Sequence, residues 1–217
     1  MKTKRVSIVR DAAGRGSPRE KLLAYAAGRI FSEGFSALTV DEICGDLGMS
    51  KRTFYRVFAS KEALVRDLIE GMLARVGGEI DGILARKDPF PVRIHAMMTF
   101  MATAIRRLGK PLLRDLERHT PAIWEHIQSF RRERVLMLVG RMLEEGRREG
   151  SIRPGVDPRV FLLSYLGAIE AVLVPGVLVH ESFSAEDALE GILTIFFLGA
   201  LTEQPAAQLR SLLQPIT

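Results

Sequence analysis

The chain has 217 residues, 47% of them apolar, which is enough for one large or two small domains with a substantial core and excludes a mainly disordered protein. Its single cysteine, Cys44, excludes an intrachain disulfide and a cysteine-rich zinc site, and fits a reducing cytoplasm. The formal net charge of +5 is unevenly spread: through residue 65 there are 12 Lys/Arg and 7 Asp/Glu, whereas the remainder has 19 of each. The whole positive excess therefore lies in the N-terminal part, where it suits a polyanionic partner.

The N-terminal stretch "MKTKRVSIVRDAAGRGS" is basic but lacks a long apolar core, so a loose arm rather than an export signal is expected. Apolar residues then recur at helical spacing with no sustained alternation, which predicts an all-α chain. Ser17-Pro18-Arg19-Glu20 is a capping box with proline at the first helical position. The helix it opens has Leu22, Leu23, Ala26, Ala27, Ile30 and Phe31 as its apolar stripe and Gly34 as its C-terminal cap. Thr39-Val40-Asp41-Glu42 repeats the box and starts a short second helix, with Ile43, Cys44 and Leu47 inward and Gly48 at its end. Ser50 caps a third helix over "KRTFYRVF", and Ser60 caps a fourth. Two short helices joined through a glycine-containing turn make a helix-turn-helix, supported by the long first helix. An N-terminal three-helix reader over residues 1–60 is expected, followed by a larger helical domain over 61–217.

In that larger part, helices are expected at about 60–85, 91–108, 111–118, 121–149, 157–179 and 184–203, with Pro91, Pro111, Pro121 and Pro158 near their starts. The apolar run from Val160 to Val179 has bilayer-spanning length, but Glu170 and the Pro175-Gly176 break favour a buried soluble helix. The helix from Ser184 is apolar on most faces, and Gly167, Ala168 and Ala171 permit close helix approach, so a second copy is expected to cover these segments.

On a helical wheel with Ser50 at zero, Phe54, Val57 and Phe58 occupy one face, between roughly 340° and 80°. Arg52 and Arg56 lie opposite, near about 200° and 240°, flanked by Thr53 and Tyr55 with Lys51 toward the edge. Such an outward face suits the major groove, where Arg pairs bidentately with guanine, Thr offers a hydroxyl and a methyl, and Tyr reaches a phosphate. Lys61 sits in the first turn of the fourth helix, where a cation opposes the helix dipole unless an anion comes there.

The stretch "FSALTVDEICGDLGMSKRTFYRVFASKEALVRDLI" closely resembles the DNA-binding signature of TetR-type transcriptional regulators, and "RREGSIRPGVDPRVFL" at 147–162 resembles a join common in their C-terminal half. The resemblance implies an all-helical homodimer that reads an inverted-repeat operator in double-stranded DNA, with a cavity for a small effector in each C-terminal domain and the last two long helices at the interface. By motif position it implies DNA contacts from Thr39, Lys51, Thr53, Tyr55 and Lys61, to which the wheel adds Arg52 and Arg56. Arg52 departs from the small residue often found at its place, so the base preference is not carried over.

Met97, Phe100, Met101 and Trp124 form an adaptable apolar set suited either to core or to a cavity for varied apolar ligands, and Tyr165 is a polar group that could face it. Glu170 fits such a cavity or an interface pair equally well. The histidines His95, His119, His126 and His180 have no tight metal spacing, and there is no phosphate loop, nucleophile elbow or metalloprotease motif. The expectation is a cytoplasmic, ligand-responsive regulator, a repressor, without catalytic residues, cofactor, metal or membrane partner. Its rivals are an activator of the same fold, an all-helical membrane-associated protein and, more weakly, an enzyme.

Overall fold

A computed structural model describes residues 16–106 and 110–214, and among these the architecture is all-α, with a single isolated antiparallel bridge between Ile152 and Leu201 and no strand. The helices are α1 (Pro18–Glu33), α2 (Val40–Leu47), α3 (Lys51–Val57), α4 (Lys61–Leu84), α5 (Phe90–Arg106), α6 (Lys110–His119) and α7 (Pro121–Phe130). After a π-helical turn, Arg131–Val135, come α8 (Leu136–Arg148), α9 (Pro158–Val172), α10 (Pro175–Leu178), α11 (Ala185–Ala200) and α12 (Glu203–Leu213). Two compact units result: residues 16–72 with 110–124, and residues 73–106 with 125–214. Whereas residue 60 closes the reader in the sequence reading, the first unit by contact also holds the start of α4 and all of α6.

In the first unit the helix ends follow local side-chain chemistry. Ser17 Oγ accepts the Glu20 N–H at 3.3 Å while the Glu20 carboxylate accepts the Ser17 N–H at 2.7 Å, and Thr39 and Glu42 repeat the exchange before α2. Gly48 closes α2 in the left-handed region, φ 60°, where a Cβ is costly. Helix α1 packs on α2, α3 and α6, burying Leu22, Ala26 and Ile30 with Ile43 and Phe54. Tyr25, outside the expected stripe, is buried as well because its hydroxyl bonds the Asp46 carboxylate of α2 and accepts from Arg29 at 3.1 Å. Burial, and next the Asp46 carboxylate, push the Tyr25 hydroxyl up to about 12.

In the second unit α5 packs against α11 and α12, and α9 against α8 and α11. Ile94, Met97, Leu143, Leu193 and Phe197 are among the buried residues. Arg93 of α5 is buried too, and its guanidinium is held by Glu145 of α8 at 2.7 Å and by Glu149, just past the end of α8, at 2.5 Å. Burying this cation is tolerable because both carboxylates face it.

The expected helix 121–149 is interrupted by the π turn, from which two cations reach the end of α9 and a third reaches α4. Arg131 donates to the Leu173 carbonyl at 3.0 Å, Arg132 pairs with Glu170 at 2.8 Å, and Arg134 pairs with Asp81 at 3.1 Å. Burial lowers the Arg131 guanidinium to about 10. The expected helix 157–179 breaks after Val172, since Pro175 cannot continue the hydrogen-bond ladder and restarts the chain as α10. Helix α12 was not expected from the sequence. No helix among the described residues is long and apolar enough to cross a membrane.

Gly146 lies where α8 meets the start of α5: an added Cβ would come within 2.6 Å of Phe90 Cζ and 2.8 Å of Ile152 Cγ1. Gly146→Ala should therefore destabilise the second unit by about 1–3 kcal/mol through overpacking, measured by denaturant unfolding. An unchanged unfolding midpoint would show that this contact relaxes freely.

Candidate nucleic-acid interface

Helix α3 is two-faced. Phe54 is fully buried and Phe58 nearly so, while Lys51, Arg52, Tyr55 and Arg56 are exposed, Tyr55 by 53% despite its ring. The Tyr55 ring is held edge-on to Phe54 at 5.3 Å, so the buried phenylalanine steadies the exposed tyrosine. Neither Arg52 nor Arg56 makes an ion pair or a hydrogen bond among the described residues. Both guanidiniums thus retain all their donors for an outside acceptor.

The other expected contacts already have partners. Lys51 Nζ pairs with Asp41 Oδ1 at 2.6 Å, and that hydrogen bond raises the lysine's pKa above its ordinary value. Thr53 Oγ1 lies 3.0 Å from the Ser50 hydroxyl, which caps α3 by accepting the Thr53 N–H at 3.1 Å. Thr39 is the exposed cap of α2, its hydroxyl donating to Glu42 at 2.9 Å. The Thr39 backbone N–H, followed by the Thr39 hydroxyl, keeps the Glu42 carboxyl below its usual range.

Lys61 is bound inside the fold. Its ammonium donates to the carbonyls of Phe35 at 2.9 Å and Leu38 at 3.0 Å and lies 5.4 Å from the centre of the Phe35 ring. Its place in the first turn of α4 is thereby compensated by two carbonyl dipoles of the loop that leads into Thr39. Asp115 of α6 holds the same loop. Its buried carboxylate accepts the Ser36 N–H at 2.8 Å and the Ser36 hydroxyl at 2.6 Å. The carboxylate rests on Gly34, φ 83°, where an added Cβ would come within 2.5 Å of Asp115 Oδ2. Phe35 also meets His119 edge-on at 6.3 Å. The sequence carried no sign of the Asp115 clamp, because 79 positions separate it from Ser36.

Of the residues expected at an effector site, Met97 and Tyr165 are buried and Phe100 and Met101 half-buried in the second unit, while Trp124 is half-buried in the first. An open polar cleft of the second unit, bounded by Phe90, Glu149, Ser151, Thr202 and Gln208, includes none of them. Glu170 pairs with Arg132 of its own chain. Among the described residues no three His, Cys, Asp or Glu side chains gather as metal ligands.

A short exposed basic helix, backed by buried aromatics and preceded by a capped helix and a left-handed glycine turn, defines a helix-turn-helix DNA-binding protein. Residues 22–68 match the family model of bacterial regulatory proteins, tetR family. Among curated proteins the chain is 25% identical over 189 residues to the HTH-type transcriptional regulator YvaF of Bacillus subtilis (strain 168), covering 86% of this chain and 97% of the other. It is 26% identical over 151 residues to the HTH-type transcriptional repressor KstR2 of Rhodococcus jostii (strain RHA1), covering 68% and 74%. A transcriptional regulator from Cytophaga hutchinsonii ATCC 33406 has a similar fold, with TM-score 0.64 and 20% identity over 84% of this chain and 98% of that one. Residues 22–68 thus carry the likeness to the tetR family of regulators, and over most of its length the chain is similar to an HTH-type transcriptional regulator.

If the ammonium secures the loop before Thr39, Lys61→Met should lower the stability of the first unit by about 1–3 kcal/mol, because two carbonyls lose a charged donor. Thermal and denaturant unfolding of the full chain would read this. No change in either would mean that the two hydrogen bonds are idle.

Proposed function

We propose that the chain is a repressor that binds an inverted-repeat operator as a homodimer and is released by a small apolar or amphipathic effector. The observation that carries the DNA-binding part is the outward face of α3, where Arg52 and Arg56 lie one turn apart, exposed and without partners among the described residues. Their bidentate donors match guanine O6 and N7 in the major groove, and the Tyr55 hydroxyl beside them is placed for a phosphate. Lys51, Thr53 and Thr39 reach DNA by exchanging their present partners, Asp41, Ser50 and Glu42, for phosphate oxygens. Lys61 has one donor left after its two carbonyls and either reaches a phosphate directly or only sets the loop.

Dimerisation is supported by an exposed apolar surface on the second unit. Val160 and Leu163 of α9 are 64% and 65% exposed, and Ile195 of α11 is 72% exposed. Gly167 and Ala171 continue the stripe on α9, as Gly191 and Gly199 do on α11, and a Cβ added to any of these glycines would meet nothing within 4 Å. Two such helices from each of two chains would close a four-helix bundle across a two-fold axis. The name of the Rhodococcus jostii relative, a transcriptional repressor, supports the sign of regulation.

Selection of bound DNA from a random pool should return an inverted repeat, because a two-fold symmetric dimer reads two equivalent half-sites. On that sequence Arg52→Ala should cost roughly 1–3 kcal/mol and relax one position in each half-site. In a salt series, Lys61→Ala should reduce the slope by about one per site if Lys61 contacts phosphate, and leave it unchanged if it only sets the loop. An intact base preference in both Arg52→Ala and Arg56→Ala would remove α3 as the reader.

Ile195→Glu tests the interface better than Phe196→Glu, because Phe196 packs on Phe161 and Tyr165 within its own chain. Sedimentation at micromolar concentration should give twice the chain mass for the native protein and the chain mass for Ile195→Glu, with operator affinity lost in parallel. A native monomer would overturn the dimer.

A further inference from the structure

The positive excess of the N-terminal part is carried ahead of the folded reader and not by it. Residues 1–15, which lie outside the described residues, hold Lys2, Lys4, Arg5, Arg10 and Arg15 against the single carboxylate of Asp11, a net +4. Residues 16–65, which contain α1, α2 and α3, hold seven Lys/Arg against six Asp/Glu, a net +1. The fold then takes up most of these seven cations. Arg19 pairs with Asp67 at 2.7 Å, Arg29 with Glu33 at 2.7 Å and Lys51 with Asp41 at 2.6 Å, and the Lys61 ammonium is bonded to two carbonyls. Of the seven, only the side chains of Lys21, Arg52 and Arg56 keep all their donors among the described residues.

A nearly neutral body of this kind is poorly equipped to hold duplex DNA. Cations that displace counterions from the phosphates supply much of the affinity of DNA-binding proteins and steer them to the duplex. Three free cations, two of them on the outward face of α3, leave that contribution small. The five cations of residues 1–15 would more than double it. Their attachment fits the same partner, because the segment joins the fold directly before the Ser17 cap of α1, and α1 packs on α3. Fifteen residues span up to about 50 Å, roughly twice the length of the 16-residue α1. From any position of the α1 start on this unit the segment can thus reach the backbone beside α3. Its cations are spread from residue 2 to residue 15 with no acid before Asp11, so that successive ones can meet different phosphates.

We infer that residues 1–15 are a second DNA-contacting segment, which lies on the phosphate backbone next to the groove that α3 enters and supplies most of the electrostatic part of binding. Base reading stays with α3. Because the segment is tethered to the reader, its cations meet the duplex at high local concentration once α3 docks. This assignment rests on the DNA-binding reading proposed above and deepens it.

The test uses the full chain and a variant in which Lys2, Lys4, Arg5, Arg10 and Arg15 are all replaced by Gln, which keeps the length of the segment. Equal melting temperatures are expected, since every substitution precedes the Ser17 cap. Both proteins are titrated across a salt series onto the selected operator and onto an unrelated duplex of the same length. At about 0.9 per phosphate contact, the logarithmic salt slope of the native protein should be steeper by about four to five per bound chain on both duplexes, with the same base preference in both proteins. Slopes that differ by less than about one per chain overturn the segment's role. So does a loss confined to the operator, which would make the segment a reader of bases. A third protein carries Gln instead at Arg75, Arg86, Lys87, Arg147 and Arg148, exposed cations of the second unit. An equal fall in its slope would assign the effect to net charge and overturn the inference as well. An unchanged slope in the N-terminal variant, while Arg52→Ala still relaxes the base preference, sinks this segment and keeps α3 as the reader. A reduced slope with the preference intact in both Arg52→Ala and Arg56→Ala does the reverse. A native protein that binds neither duplex sinks both.

Discussion

The seven-residue helix α3 exists because Phe54 is buried. A helix of that length is far below what is stable alone in water, so its backbone order must come from packing rather than propensity. Phe54 supplies this by burying completely in the unit where α1 packs on α3, with Phe58 close behind it. Once that face is fixed, the helical period leaves Arg52 and Arg56 no choice but the opposite one. Removing the apolar anchor would therefore remove the helix without touching a single atom of its exposed face.

The approach to α3 is held by electrostatics rather than by apolar contact. The loop of residues 34–38 receives the Lys61 ammonium on two of its carbonyls and presents the Ser36 N–H and hydroxyl to the Asp115 carboxylate. These charge-assisted bonds are short and partly buried, where they are stronger than their exposed equivalents. They set the position of Thr39 and so the start of α2. The exposed pairs on the same unit, such as Lys51 with Asp41, contribute little to stability because solvent screens them.

In the second unit the arginines are held by acceptors of the same chain. Arg93, Arg131, Arg132 and Arg134 are all spoken for, by Glu145 and Glu149, by the Leu173 carbonyl, by Glu170 and by Asp81 respectively. These bonds tie helices together around the apolar core. The exposed stripe over α9 and α11 carries side chains and glycines that nothing among the described residues covers.

The helices of the reader were determined by the sequence itself, because capping boxes, proline at the first helical position and a left-handed glycine act within four residues of where they stand. The two faces of α3 were legible for the same reason, since the helical period alone separates Phe54 from Arg52. Gly167, Ala168 and Ala171 of α9 likewise stood in the sequence as a run of small residues. Tertiary structure alone decided which cations were already taken. Nothing near Lys61 announced the Phe35 and Leu38 carbonyls, and nothing near Asp115 announced Ser36, because each pair is joined only after the chain has folded back on itself. The π turn at Arg131–Val135 and the assignment of Glu170 to Arg132 arose in the same way: local propensity favours one continuous helix there, and contacts some 40 to 50 residues distant reshape it.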